Sequence, residues 1–256
     1  MRVLKSLFLI INYKTLVVMA LALGSTWVCG EFQLIADFPL TLIGIAIVFP
    51  VVFSIGAAYK RRERALGFLG DFKAHLIALY FASRDWVESD ENSFSSEMKN
   101  KIMETYGTLR DLFISDPKDW EQHEERLYKD LSDMSDIILK FRNLGLPSGE
   151  VSRVNQYLSK LAVALEGMKV VLHYRTPITL RGYSKVFIYS FPILYGPTFE
   201  FMAENFSFSL KYMMPIMFSF ILVSLDNIQD HLENPFDQVG EDDIKFDVEE
   251  FGKLLS

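Results

Sequence analysis

Cysteine is almost absent. Cys29 is the only one in the chain, which excludes a disulfide framework and a cysteine-based zinc site. Catalytic signatures are missing too: there is no phosphate-cradling glycine loop, dinucleotide fingerprint, HExxH or nucleophile elbow. The expectation is therefore a protein that is not an enzyme and requires no cofactor. The four histidines, His75, His123, His173 and His231, are far apart and have no ligand partner at i+3 or i+4. That is the pattern of ordinary surface or core histidines. A net charge of −7 comes with no basic patch interleaved with aromatics, so nucleic acid is not an expected partner. No segment carries a strand signal, which leaves helices.

Charge itself is missing from long runs. From Phe38 the sequence FPLTLIGIAIVFPVVFSIGAAY has none, and then Lys60, Arg61, Arg62 and Arg64 arrive almost together. About 20 apolar residues span the roughly 30 Å hydrocarbon core of a bilayer, and a basic cluster straight after them marks the cytoplasmic end. An earlier apolar run, residues 14–30, has Lys14 at its start and no small-x-small cleavage site, and so reads as a retained first span with Trp27 at the far interface. The turn between them holds only the acidic charges Glu31 and Asp37, which places both chain termini in the cytoplasm of an integral membrane protein of the plasma or inner membrane. Two later runs, Tyr183 to Ala203 and Phe208 to Leu225, supply a second pair. They contain Pro192, Pro197 and Pro215, with Lys185 and Lys211 near helix ends, where snorkelling explains them. Buried carboxylates of the kind that mark proton relays are not expected in the spans.

Between the pairs the pattern turns amphipathic. Leu66, Leu69, Phe72, Leu76, Leu79 and Tyr80 form one stripe. Glu88 to Glu97 reads as a polar loop, and a helix is expected from Met98 to Phe113. A second helix opens at Ser115-Asp116-Pro117 and closes at Gly145, and a third covers Glu150 to Tyr174. The fold class expected is all-α: a polytopic membrane protein of four transmembrane helices with a cytosolic helical bundle. Residues 1–59 hold the first helix pair, 60–180 the cytosolic block, 181–228 the second pair and 229–256 an acidic cytosolic tail.

Ile45, Phe49 and Phe53 share one face of the second span at four-residue spacing, while Ile43, Ile47 and Val51 fall on its other sides. Such a face suits lipid or bundle contact. Repeated around a shared axis, it also makes a hydrophobic neck that gates by dewetting, and the positive edges of phenylalanine rings tolerate a dehydrated anion better than a cation. Four spans enclose little space alone, so a pore implies an oligomer. In the tail, the carboxylates of GEDDIKFD, among them Glu241, Asp242 and Asp243, are candidate calcium ligands or simply a solvated acidic segment.

These residues resemble the bestrophin family of pentameric anion channels. FSIGAAYKRR (Phe53 to Arg62) is similar to the bacterial members' Phe-x-x-x-Ala-Ala-Tyr-x-Arg pattern. SLDNIQDHLENPFDQVGEDD is similar to the family's SLD element followed by Asn-Pro-Phe and acidic residues. The resemblance implies a homopentameric chloride-type channel, with a neck of Ile45, Phe49 and Phe53 and a cytosolic aperture at Ile178, in the segment Thr176-Pro177-Ile178. It also implies partners limited to lipid, small anions and further copies of the chain. Arg62 and Glu63 replace a tryptophan pair, Asp237-Gln238-Val239 are extra, and Lys245 stands where animal members carry their last acidic calcium ligand. Current independent of calcium is therefore expected. A secondary transporter of small anions and a non-conducting membrane scaffold are the competing readings.

Overall fold

The computed structural model describes residues 11–87, 92–175, 177–205, 209–238 and 243–255. Among them all regular structure is helical: α1 (Tyr13–Glu31), α2 (Leu40–Asp85), α3 (Asn92–Ile114), α4 (Trp120–Asn143), α5 (Ser148–His173), α6 (Ile178–Leu194), α7 (Gly196–Asn205), α8 (Leu210–Glu233) and α9 (Val248–Lys253). The chain divides into two compact units. One holds Met1–Arg61 and Arg175–Asn234 with Val239–Glu241; the other holds Arg62–Tyr174, Pro235–Gln238 and Asp242–Ser256. Helix α2 contributes residues to both and runs unbroken for 46 residues through Pro50.

In the first unit, α1, α2 and α8 are long and apolar enough to cross a membrane. Asn12 caps α1, its side chain accepting from the Lys14 and Thr15 amides. The third apolar run is broken at Tyr195 into two helices. At 17 and 10 residues, α6 and α7 are about 26 and 15 Å long. Pro197 has no N–H to give the carbonyl four residues back, which is that of Ile193. The Ser25 hydroxyl donates to that carbonyl instead, at 2.6 Å. Gly196 makes this possible, because a Cβ there would sit 2.6 Å from Ser25 Oγ. A neighbouring helix thus repairs a proline break in apolar surroundings.

The second unit is a helical bundle closed by the end of the chain. Phe72, Leu76 and Leu79 of α2 pack with Ile102, Tyr106 and Leu109 of α3, Leu127 and Met134 of α4, and Leu161, Leu165 and Met168 of α5. Each fully buried side chain of this size contributes roughly 1.5–3 kcal/mol. Helix α3 begins six residues before the expected Met98, inside the expected polar loop, because Phe94 is buried edge-on against Phe141 with centroids 4.9 Å apart. Helix α4 begins at Trp120 rather than at Pro117; the Trp120 indole donates to the Ser115 carbonyl across the turn. Gly145 follows α4 at φ +83, a conformation that glycine adopts without a Cβ penalty. The tail differs most from a solvated acidic segment. Phe236, Ile244, Phe246, Phe251 and Leu255 are all buried in this core, and the Phe113 ring lies 4.7 Å from that of Phe236.

Candidate functional site: an uncovered face of α2

Successive residues of a helix turn by about 100°, so the face of α2 that each one occupies follows from its number. One side of its first half is packed into the first unit: Ile47 is 1% exposed and Val51 0%, with Ser54 and Ala58 also buried. Ile47 and Val51 touch a cluster that includes Val18, Ile188, Phe191 and Leu222. The opposite side is bare. Ile45 is 48% exposed, Phe49 57% and Phe53 66%, with Val48, Val52 and Tyr59 beside them. The Phe49 and Phe53 rings stack at 6.1 Å. Thr41, Gly44, Ile45, Val48 and Phe49 line an almost wholly apolar depression on this side. The three expected neck residues are thus brought onto one uncovered face. Ile43 has a side chain outside the described set, and Ile47 and Val51, on the other sides of the helix, are core positions. Ile178, the expected aperture residue, opens α6 and is 78% exposed.

Polar chemistry at the two ends of the first unit was missed by sequence reasoning. Lys211 does not snorkel alone: its Nζ lies 3.0 Å from Glu200 Oε1 and 2.8 Å from Oε2, with both side chains largely buried. Lys185 and Lys14 both bond Asp230, at 3.1 and 3.3 Å. Asn12 donates to Asn227 at 2.9 Å, and the Tyr189 hydroxyl donates to Asp226 Oδ2 at 2.9 Å. Just past the fourth apolar run, which was expected to end at Leu225, Asp226 and Glu233 on α8 are both buried. Asp226 Oδ1 and both amide atoms of Gln229, one turn on, have no hydrogen-bond partner among the described residues. Sequence gave a single usable signal here. Asp226, Asp230 and Glu233 recur at helical spacing, but their partners lie up to 216 residues away.

The expected calcium ligands fare differently. Glu241 and Asp242 lie outside the described residues. Asp243 is half-buried. Among the described residues no group of three or more His, Cys, Asp or Glu side chains is placed to hold a metal ion. The nearby hollow is lined by Arg110, Gln238, Lys245, Phe246, Asp247 and Glu249, two cations set among two carboxylates. Asp247 Oδ1 is already occupied in capping α9, accepting from the Glu250 amide at 2.8 Å. Gln238, held at φ +61, donates to the Ile244 carbonyl at 2.8 Å. A divalent cation wants several free oxygen ligands and no ammonium, and this donor set does not suit one.

No family model and no curated protein matches the sequence. Solved structures do. A bacterial bestrophin homologue from Klebsiella pneumoniae superposes with a TM-score of 0.78 at 18% identity, over 95% of this chain and 96% of that one. Two single-substitution forms give 0.80 at 18% identity and 0.79 at 17%, each over 94% of this chain and 97% of the other. The chain therefore has the fold of the bacterial bestrophin homologues along nearly its whole length.

Proposed function

We propose that the protein is an oligomeric anion channel, a pentamer, in which five copies of α2 ring a common axis and Ile45, Phe49 and Phe53 form its neck. The observation that carries this reading is the bare face of α2. Large apolar side chains left about half or more exposed in their own subunit call for something to cover them, and in a chain of this fold a ring of like faces does so without exposing charge. The neck is apolar enough to expel water when narrow, which gates permeation, and helix N-termini offer positive ends to a passing anion. Ile178 forms a second, cytosolic constriction. The buried Asp226 and its neighbours favour one other reading, a proton-coupled transporter of small anions.

Purified protein in a planar bilayer separates the two. Steady single-channel current with anion reversal potentials is expected, whereas saturating, proton-coupled flux without unitary events would favour the transporter. Native mass measurement in mild detergent should give one closed cyclic species of five subunits, and a dominant monomer at micromolar protein would remove the pore. Calcium is not required in this reading. Current should persist in chelator, because among the described residues the hollow brings Lys245 and Arg110 to Asp247, whose Oδ1 already caps α9; loss in chelator, reversed by calcium, would restore a metal-gated tail.

A further inference from the structure

In the second unit the end of the chain lies along one face of α3. Met103, Tyr106, Arg110 and Phe113 follow one another at three- and four-residue steps, which is a single helical stripe. The Phe236 and Phe246 rings sit 4.7 and 5.7 Å from that of Phe113 and 6.2 Å from each other. Phe251 sits 4.4 Å from Tyr106, and a Cβ on Gly252 would come 3.0 Å from the Met103 methyl. Residues 243–255 thus form a strap that runs against the direction of α3, with Phe236 beside its start. Phe236, Ile244, Phe246 and Phe251 are all buried.

Gln238 ties Phe236 to that strap. Its Nε2 donates to the Phe236 carbonyl at 3.2 Å and to the Ile244 carbonyl at 2.8 Å, and the Ile244 amide donates to the Pro235 carbonyl at 2.8 Å. A side-chain amide carries two N–H donors, so one nitrogen serves both carbonyls. The Gln238 backbone sits at φ +61, a region that a residue with a Cβ enters at a cost and keeps only where its surroundings enforce it. Gln238 and Ile244 bracket the acidic segment in which calcium ligands were expected, and carbonyl oxygens are what a calcium ion would gather. Here an amide nitrogen gathers two of them. We propose that Gln238 is the fastener of the strap, closing it on α3 with no metal ion. The proposal does not depend on the channel reading, since closure is read without current.

The test is hydrogen exchange of the purified full-length protein in neutral detergent, in chelator and, for the wild type, also in calcium. The Ile244 amide reports opening of the strap, because its bond to Pro235 must break before it exchanges. Wild type should exchange equally slowly in calcium and in chelator. Gln238→Ala keeps the Cβ and the backbone strain and loses only the amide. It is expected to speed Ile244 exchange about tenfold, which corresponds to ~1.4 kcal/mol of lost hydrogen bonding, while amides of α4 and α5 keep their rates. Gln238→Glu has the same length but offers no donor at neutral pH, and its carboxylate faces two carbonyls, so it should open the strap at least as far. Gln156→Ala truncates an exposed glutamine of α5 and should match the wild type. Unchanged Ile244 exchange in both Gln238 variants would overturn the proposal. So would equal speeding of the α4 and α5 amides, since Gln238 would then support the whole unit rather than the strap. Chelator that opens the wild-type strap as far as Gln238→Ala does would overturn it as well, by making a metal ion the fastener.

Discussion

Replacing Ile45, Phe49 and Phe53 together by alanine is expected to raise open probability about tenfold or more, the change that follows ~1.4 kcal/mol off a barrier to ion entry. The side chains are about half or more exposed in the subunit, so their truncation leaves no internal cavity and little stability is lost. What changes is the width of the ring. A wider constriction retains water, and the cost of stripping an ion falls. Anion preference should largely survive, because helix N-termini keep their positive ends. The control must sit on another exposed face. Ile47 and Val51 are buried, and alanine there would cost on the order of 1–4 kcal/mol through cavities, confusing gating with unfolding. Leu16, Val17 and Leu21 of α1 are exposed in the subunit, and their triple alanine variant should conduct like the wild type. Opening by the control but not the neck variant would put the gate on the wrong helix. Silence from both, in an intact oligomer, would remove α2 from gating.

The second large effect lies in the second unit. Lys101 Nζ reaches Asp130 at 2.8 Å and Asp133 at 2.8 Å, and Thr108 donates to the other Asp130 oxygen at 2.7 Å. Asp130 is buried. Lys101→Met is expected to destabilise the protein by roughly 3–5 kcal/mol, since it strands a buried carboxylate. Measured as unfolding in detergent, the loss should greatly exceed that of Lys99→Met on the same helix. Lys101→Met/Asp130→Leu should recover much of it, because a buried pair replaced by apolar groups of similar size is often neutral. Burial pushes the Lys101 ammonium down, but hydrogen bonds to Asp130 and Asp133 outweigh it and raise its pKa above the ordinary lysine value. The sign follows from that direction. The stabilisation is complete below the unfolded-lysine pKa of about 10.4 and fades only as pH rises through the higher folded value, so a melting curve should be flat in this respect at neutral pH. If Lys101→Met were silent, the network would be decorative.

The first two apolar spans, the amphipathic stripe from Leu66 to Tyr80, the turn at Gly145 and the common face of Ile45, Phe49 and Phe53 were all legible in the sequence. Each depends on neighbours a few residues apart, and hydrophobic periodicity, charge-free length and turn chemistry act at that range. The start of α3 was not legible, because Ser93 to Glu97 is polar by composition and Phe94 finds its partner, Phe141, only in the folded bundle. The broken third span was half legible. Pro197 was in view, yet whether the helix kinks or ends depended on Ser25, which contributes its hydroxyl from another helix. The tail's acidity masked five aromatic and aliphatic residues whose burial needs a core already built by α2 to α5. The same reason hid the polar ends of the first unit. Lys14 and Asp230, Lys211 and Glu200, and Arg61 and Glu233 are ordinary charges until tertiary contact removes their water and leaves each to be answered by another side chain. The sequence by itself determined which segments are helices and which of their faces are apolar. Only the tertiary structure decided which of those faces stay bare and which charges meet, because covering a face and desolvating a charge are both acts of distant parts of the chain.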